Sequence, residues 1–283
     1  MSTAPARMIA STSGVSGALH DLGGDGEPVL LCHATGFHGR VWAPVAAALA
    51  DRYRCLAVDF RGHGDSTVPA HLDYQWAGMV DDVLAVIDDL GDEAPRLAAG
   101  WSMGGAAIVM AEQRRPGTFD RAWLVEPILI PIDEPWGSAV EEENSLATMA
   151  RRRREVFESR DAAYERYVSR PPFESCDPRS VRAYVDHGLR DQPDGTVILK
   201  CRGAIEAAVF EASLTDGFDR LGEVGTEVTV AASGDGAPPA LAGPGIAAAL
   251  PNGRFETLDD LTHFAPLEAP ERIAAAIARA FGG

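Results

Sequence analysis

The sequence predicts an α/β fold in which a mostly parallel sheet carries helices on both faces. Continuous apolar runs, typical of strands that are buried on both sides, recur between segments with helical spacing. Strands that alternate with helices indicate a parallel sheet, because the chain must cross back over the sheet between strands. The clearest apolar runs are residues 28–33, 54–59, 96–99 and 121–126.

The order of the other elements agrees with this fold. A helix is expected at 42–50, and a helical stripe of apolar residues at 76–90 is closed by Gly91. A third helix follows residue 105 and is stopped by Pro116 and Gly117. Towards the C terminus we expect a strand, a helix, a second strand and a terminal helix, with the strands at 227–232 and 254–258.

The alternation of strands and helices is lost in the middle of the chain. After Pro135, residues 136–218 are charged and helical in character, with four arginines in a row at 151–154. We therefore expect residues 1–135 and 219–283 to form one α/β core domain, with 136–218 as a helical insertion. Such an insertion would lie above the strand ends, where ligands bind in open α/β sheets.

Composition and charge argue against several kinds of partner. The net charge is −17 at pH 7, so nucleic acids and anionic membranes would be repelled. No apolar run approaches the ~18 residues of a membrane span, and the first residues lack the apolar segment of a signal peptide. The four cysteines have no metal-binding spacing. We expect a cytoplasmic protein with reduced cysteines and no metal.

A serine at a sharp turn between a strand and a helix is the candidate nucleophile. Residues 100–104, Gly-Trp-Ser-Met-Gly, follow an apolar run and lead into a predicted helix. A G-x-S-x-G pattern in this context is typical of a nucleophile elbow, which holds the serine hydroxyl clear of its neighbours. A hydroxyl is a poor nucleophile alone, so Ser102 needs a histidine as base and an acid to orient that histidine.

Four segments of the chain stand out, at residues 30–42, 59–66 and 100–105 and at His263. In this order they resemble the α/β-hydrolase superfamily. The resemblance covers essentially the whole sequence and implies an α/β-hydrolase fold, with a sheet of about eight strands and the insertion as a cap domain. One departure is that His33-Ala34 stands where the family usually has His-Gly. The segments are residues 30–42 (the loop after the third strand), 59–66 (D-x-R-G-x-G-x-S), 100–105 (the elbow) and His263 (the C-terminal histidine).

The family order of serine, acid and histidine selects the base. Only His187 and His263 follow Ser102. His187 lies in the last turn of a predicted helix of the insertion, where a surface histidine complements the helix dipole. His263 lies in the loop between the last strand and the terminal helix, which returns to the sheet edge that carries Ser102. We therefore expect His263 to be the base.

The resemblance also implies an oxyanion hole built from two backbone N–H groups. One comes from the residue after the nucleophile, Met103, at the start of a helix whose dipole adds to the effect. The other comes from the loop after the third strand. By register with the family it is Thr35, with Gly36 as a neighbouring possibility.

Two residues are candidates for the acid. Asp235 follows the strand ending at Ala232, where most family members carry the acid, although the match is loose. Glu126 ends the strand after the elbow helix, as in some haloalkane dehalogenases and the zearalenone lactonases. A carboxylate before Pro127 at the mouth of a buried strand is hard to explain by packing, since an unpaired charge there is costly. We favour Glu126 and keep Asp235 as the alternative.

Several other conspicuous residues have simpler explanations. His33 and His63 are expected to brace loops, and Asp59 and Arg61 to form a structural pair. The four arginines are expected to lie on a solvated cap helix, because Arg151–Glu155 and Arg154–Glu158 have the i,i+4 spacing of helical ion pairs.

The sequence thus predicts a cofactor-free serine hydrolase of the esterase or lactonase type. It would cleave a small carboxylic ester or lactone through Ser102, His263 and Glu126, with an acyl-enzyme intermediate. Two alternatives share the fold: a non-catalytic ligand-binding homologue, and a cofactor-free perhydrolase or carbon–carbon bond hydrolase that uses the same three residues. The chain is expected to be a monomer or a homodimer.

Overall fold

The computed structural model describes residues 6–129, 145–212 and 217–282 of the chain. The first part of the core alternates strands and helices as expected. Its strands are β1 (Arg7–Ala10), β2 (Ser16–Gly23), β3 (Glu27–Cys32), β4 (Tyr53–Asp59), β5 (Leu97–Trp101) and β6 (Arg121–Val125). Its helices are α1 (Ala43–Leu49), α2 (Trp76–Leu90) and α3 (Met103–Arg114).

The insertion is mainly helical but also contains a small sheet that the sequence does not predict. Its strands are too short to show any periodicity. They form a three-stranded antiparallel sheet in which Val197–Leu199 lies between Val156–Phe157 and Leu189–Asp191. The described elements are α4 (Ser145–Arg152), β7 (Val156–Phe157), α5 (Arg160–Val168), α6 (Pro178–Gly188), β8 (Leu189–Asp191), β9 (Val197–Leu199) and α7 (Gly203–Glu211). The expected domain boundary at 135/136 lies outside the described residues, so the division into domains stays a prediction.

The last part of the chain completes one sheet of eight strands. Its elements are β10 (Glu227–Ser233), α8 (Pro238–Ala249), β11 (Gly253–Leu258), α9 (Ala265–Glu268) and α10 (Pro270–Ala280). The strand order is β1-β2-β4-β3-β5-β6-β10-β11. Strand β2 pairs antiparallel with both of its neighbours, β1 and β4, and all other neighbours pair parallel. The predicted mostly parallel, eight-stranded sheet is therefore confirmed.

Apolar layers cover both faces of this sheet. Successive residues of β3 alternate between them: Val29 and Leu31 belong to the layer under α1 and α10, while Leu30 and Cys32 belong to the layer under α2 and α3. This explains the unbroken apolar runs, because a strand buried on both faces has no solvent side. No helix of the described ranges is long and apolar enough to cross a membrane.

The topology brings five strand ends to one edge of the sheet. The strands β3, β5, β6, β10 and β11 are parallel neighbours in register, so their carboxyl ends and the loops after them lie together. These loops carry the residues singled out in the sequence, namely Thr35, Ser102, Glu126, Asp235 and His263. Helix α6 of the insertion packs against the turn Gly39–Trp42, near the same edge.

Candidate active site

Ser102 lies at a tight turn between β5 and α3, and the glycines on either side are required by close packing. A Cβ atom on Gly100 would lie 2.7 Å from the Cα of Gly105. A Cβ atom on Gly104 would collide with the carbonyl group of Cys32, at the end of β3. The turn therefore admits no side chain at these two glycines, as the sequence pattern indicates.

The Ser102 backbone is held in a strained conformation. Its φ of 56° lies in the left-handed region, which costs a non-glycine residue about 1–3 kcal/mol. Two hydrogen bonds fix it: the Ser102 N–H donates to Val125 O at 3.0 Å, and the Ala106 N–H donates to Ser102 O at 3.1 Å. Within the described residues the Ser102 hydroxyl makes no hydrogen bond, including none to His263. In enzymes that use a serine and a histidine, the hydrogen bond between the two commonly forms or shortens only when substrate binds.

The side chain of His263, which is partly buried, contacts the fully buried carboxylate of Glu126. The Nδ1 atom of His263, in the loop between β11 and α9, lies 2.5 Å from Oε2 of Glu126. The other carboxylate oxygen, Oε1, accepts the Ser233 N–H at 2.8 Å, and Glu126 is 0% exposed. Because Nδ1 faces a carboxylate, it carries the proton, and Nε2 is left free to act as a base.

The surroundings of Glu126 keep it ionised. Burial raises the pKa of its carboxyl, but hydrogen bonds from His263 and Ser233 lower the pKa by more, so the net value lies below the ordinary range. The residue also has a positive φ of 46°. Strain in a buried, hydrogen-bonded carboxylate indicates that the surrounding structure determines its position.

Asp235, the alternative acid, contacts the backbone of the same loop instead of the imidazole. Its Oδ2 accepts the backbone N–H of His263 at 3.3 Å, and its Oδ1 accepts the Ala237 N–H at 2.8 Å. The residue is exposed. Of the two candidates, Glu126 is the one that contacts the histidine side chain.

The two residues proposed for the oxyanion hole are in contact with each other. The Thr35 hydroxyl donates to Sδ of Met103 at 3.4 Å. Met103 is the first residue of α3, so its N–H has no acceptor within the helix. The N–H of Gly36, by contrast, already donates to Nε2 of His63 at 3.1 Å. Among the described residues, no acceptor is found for the Thr35 N–H, which favours Thr35 over Gly36.

Buried histidines brace the loops behind this site, as predicted. Nδ1 of His63 donates to Arg61 O at 3.0 Å, which leaves its Nε2 free to accept from Gly36. His33 donates through Nδ1 to Ala34 O at 2.7 Å and accepts the Phe60 N–H at 3.1 Å. Burial lowers the pKa of His33 to about 3 and also lowers that of His63, so both are neutral at pH 7.

The expected pair between Asp59 and Arg61 is wrong. Arg61 instead forms a buried ion pair with Asp82 of α2, with an N–O distance of 2.7 Å. Asp59 accepts from His20 at 2.8 Å and from the backbone N–H groups of Gly39 and Asp65 at 2.6 and 2.7 Å. The chain leaves β4 directly after Asp59, so the strand geometry that would place the two side chains together ends there.

The side chains of His20, Asp59 and Asp65 could together approach one ion, since their ligand atoms lie within 4.8 Å of one another. Protein donors already fill much of this cluster. Asp65 pairs with Lys200, and Asp59 accepts the three hydrogen bonds described above. The cluster is thus explained by internal pairing.

The arginine run is only partly a solvated helix, because α4 ends at Arg152. The expected Arg151–Glu155 pair is wrong, since Arg151 bonds Glu211 at 2.6 Å. The Arg154–Glu158 pair is present at 2.9 Å, although its residues lie outside a helix.

Arg153 is partly buried, which the sequence pattern did not predict. It pairs with Glu206 of α7 and donates to the Tyr184 hydroxyl at 2.6 Å. Burial lowers the pKa of Arg153, but Tyr184 and Glu206 raise it by more, so the guanidinium stays charged. No sequence spacing links Arg153 to Glu206, because the two residues come together only through the fold of the insertion.

Aromatic side chains join the core to the insertion around the site. Phe37 lies 4.5 Å from Trp101 and 5.2 Å from Tyr184 between ring centroids, and Trp101 lies 6.0 Å from His263. Phe264 is also in contact with Trp101, at 5.9 Å. Two of these rings, Trp101 and Phe264, directly adjoin the site residues Ser102 and His263 in the sequence, and that proximity is a signal from which they could have been found.

Comparison with known proteins agrees with this architecture. Residues 29–276 match the model of the "Alpha/beta hydrolase family", which is most of the chain. The chain belongs to the alpha/beta hydrolase family. Membership of this family supports hydrolase activity.

Relatives of this alpha/beta hydrolase have several activities. A putative non-heme bromoperoxidase, BpoC, of Mycobacterium tuberculosis is 28% identical over 277 residues, covering 93% of this chain and 96% of that protein. Among solved structures, E-2-(acetamidomethylene)succinate hydrolase superposes with a TM-score of 0.81 at 21% identity, covering 98% of this chain and 99% of the other. A thermophilic esterase from Thermogutta terrifontis gives 0.72 at 24% identity, covering 98% and 97%. These two structures support the fold.

Proposed function

We propose that this alpha/beta hydrolase is a serine hydrolase that cleaves a carboxylic ester or lactone by acyl transfer. The observation that carries the proposal is the contact between His263 Nδ1 and the buried Glu126 Oε2, at the sheet edge where Ser102 forms the elbow. A histidine fixed in this tautomer would supply the base of acyl transfer. The strained serine at the same sheet edge, whose hydroxyl makes no hydrogen bond within the described residues, would supply the nucleophile.

In the first half-reaction, His263 Nε2 takes the hydroxyl proton of Ser102 while Oγ attacks the carbonyl carbon. The carbonyl electron pair moves onto oxygen, and the N–H groups of Thr35 and Met103 donate to that oxyanion. The oxyanion then collapses, the C–O bond to the leaving alcohol breaks, and His263 gives its proton to that alcohol. In a lactone, the alcohol stays attached to the acyl group.

In the second half-reaction, water attacks the acyl-enzyme. His263 takes a proton from the water, the same oxyanion hole holds the second tetrahedral intermediate, and Ser102 leaves with the proton from His263. Glu126 stabilises the imidazolium in both halves. Asp235 is assigned the separate task of holding the His263 loop through its backbone N–H.

A second activity is suggested by the bromoperoxidase relative from Mycobacterium tuberculosis. With hydrogen peroxide in place of water, the same acyl-enzyme would give a peracid, and a peracid can oxidise bromide. This perhydrolysis needs no residue beyond those named. It is therefore a second reaction of the proposed site, and it differs only in the acyl acceptor.

A panel of substrates tests the proposal. Purified protein and the Ser102→Ala variant would be assayed with p-nitrophenyl esters and with γ- and δ-lactones of increasing acyl length, with and without hydrogen peroxide. We expect turnover of at least one ester or lactone, lost by about 10³-fold or more in Ser102→Ala. Turnover that survives in Ser102→Ala would contradict the proposal. A rate of peracid formation higher than the rate of hydrolysis would favour perhydrolysis as the main reaction.

A further inference from the structure

A partly buried ion pair from the insertion lies against the loop that carries Thr35. It joins Arg153, which follows α4, to Glu206 of α7, and the two side chains are only 20% and 12% exposed. Arg153 Nη1 bonds Oε2 of Glu206, while its Nη2 donates to the hydroxyls of Tyr184 and Tyr167, at 2.6 and 3.4 Å. The guanidinium is therefore fixed on several sides.

The second carboxylate oxygen of Glu206 faces the core. A Cβ atom on Gly36 would collide with Oε1 of Glu206, so the carboxylate touches the backbone of this loop. On the other side of the loop, the Gly36 N–H is bonded to His63. The loop is thus held between a histidine of the core and a carboxylate of the insertion.

A carboxylate at this position is unfavourable for an oxyanion hole. Gly36 directly follows Thr35, whose N–H is the proposed oxyanion donor, so Glu206 lies close to the developing negative charge. At an effective dielectric constant of about 20 and a separation of about 7 Å, one uncompensated charge would slow formation of the oxyanion roughly 50-fold. The positive charge of Arg153 removes most of that effect.

We propose that Arg153 is an electrostatic positioning residue, which neutralises and holds Glu206 against the oxyanion loop. The insertion thereby sets the charge at the oxyanion hole as well as covering it. This inference rests on the proposed function. It distinguishes Arg153 from Arg151, which forms an exposed pair with Glu211 in which the side chains are 49% and 46% exposed.

The test compares two inhibitors that differ only in the charge they develop. An aryl trifluoromethyl ketone forms an anionic tetrahedral adduct with an active serine, whereas the matched methyl ketone binds without adduct formation. The inhibition constant of the methyl ketone divided by that of the trifluoromethyl ketone measures how well the oxyanion hole stabilises the anionic adduct. A general loosening of the site would weaken both inhibitors and leave this ratio unchanged. The enzymes are wild type, Arg153→Met, Arg153→Lys, the double variant Arg153→Met/Glu206→Gln, and Arg151→Met as the matched surface control.

In Arg153→Met we expect this ratio to fall roughly 50-fold and kcat to fall with it, with KM within about threefold of wild type. Arg153→Lys keeps the charge and should lose no more than about fivefold. The double variant removes both charges and should recover to within about fivefold of wild type. Arg151→Met should not change the ratio, because its ion pair is exposed and is screened by solvent.

Equal weakening of both ketones in Arg153→Met, or a double variant as impaired as the single one, would overturn the inference. If Arg153→Met does not fold, the double variant Arg153→Met/Glu206→Gln is the test. A fall of more than about 20-fold in its ratio of inhibition constants would likewise overturn the inference. Failure of the proposed function is recognised separately: wild-type protein would then bind the trifluoromethyl ketone no more tightly than the methyl ketone.

Discussion

Replacing Glu126 by glutamine is the sharpest single perturbation of this site. The change keeps the size of the side chain and removes the negative charge that faces His263 Nδ1 at 2.5 Å. In the transition state His263 becomes an imidazolium, with charge centres about 4 Å apart. At an effective dielectric constant of about 20, the lost attraction is about 4 kcal/mol, or about 10³ in rate.

A second effect adds to this loss. The glutamine amide can donate to Nδ1, which would place the imidazole proton on Nε2 and leave no base facing Ser102. We therefore expect kcat to fall by about 10³ to 10⁴, with KM little changed. The assay is steady-state hydrolysis of the best p-nitrophenyl ester, with melting temperatures recorded to confirm folding.

Asp235→Asn is the matched control for Glu126→Gln, because it also exchanges a carboxylate for an amide in the same loop cluster. Its amide oxygen can still accept the His263 backbone N–H, so activity should stay within about tenfold of wild type. A folded Glu126→Gln enzyme within tenfold of wild type would refute the reasoning. So would a large loss confined to Asp235→Asn, which would make Asp235 the acid.

Two further predictions concern stability. Ser102→Gly and Ser102→Ala should both abolish turnover. The glycine variant should melt about 2–4 °C higher than the alanine variant, because glycine adopts a positive φ without strain. An equal or lower melting temperature for the glycine variant would show that the turn is not strained. The pKa values of His33 and His38 are lowered by burial to about 3 and 4, so below pH 6.5 the unfolded chain binds protons that the folded chain excludes. These two residues alone should lower the free energy of unfolding by about 3–4 kcal/mol between pH 7.5 and pH 5.0 in urea titrations, and His38→Gln should flatten this slope. A pH-independent midpoint would contradict the assignment.

The core fold was predictable because its sequence signal is local and repeated. Each parallel strand is an apolar run, and the turn at Gly100 and Gly104 has a residue pattern imposed by packing. The contact between His263 and Glu126 agrees with reasoning about strand ends, since loops that follow parallel neighbours must lie at one edge. Assignment of these residues as a catalytic set stays a prediction until activity is measured.

The parts that could not be predicted depend on contacts between distant segments. Arg153 and Glu206 are 53 residues apart, and only the folded insertion brings them together. Strands of two or three residues such as β7 and β9 show no periodicity to recognise. Arg61 has an acidic neighbour in sequence at Asp59, yet its partner comes from α2, because tertiary packing outweighs sequence proximity.

The central claim is that Ser102 is an activated nucleophile, and a fluorophosphonate probe tests it most directly. Native protein would be labelled, digested and mapped by peptide mass spectrometry, with Ser102→Ala and urea-unfolded protein as controls. The account predicts one adduct, on the peptide containing Ser102, which is absent from both controls and slowed by His263→Ala. No labelling of the folded protein, or labelling that persists in Ser102→Ala, would contradict it.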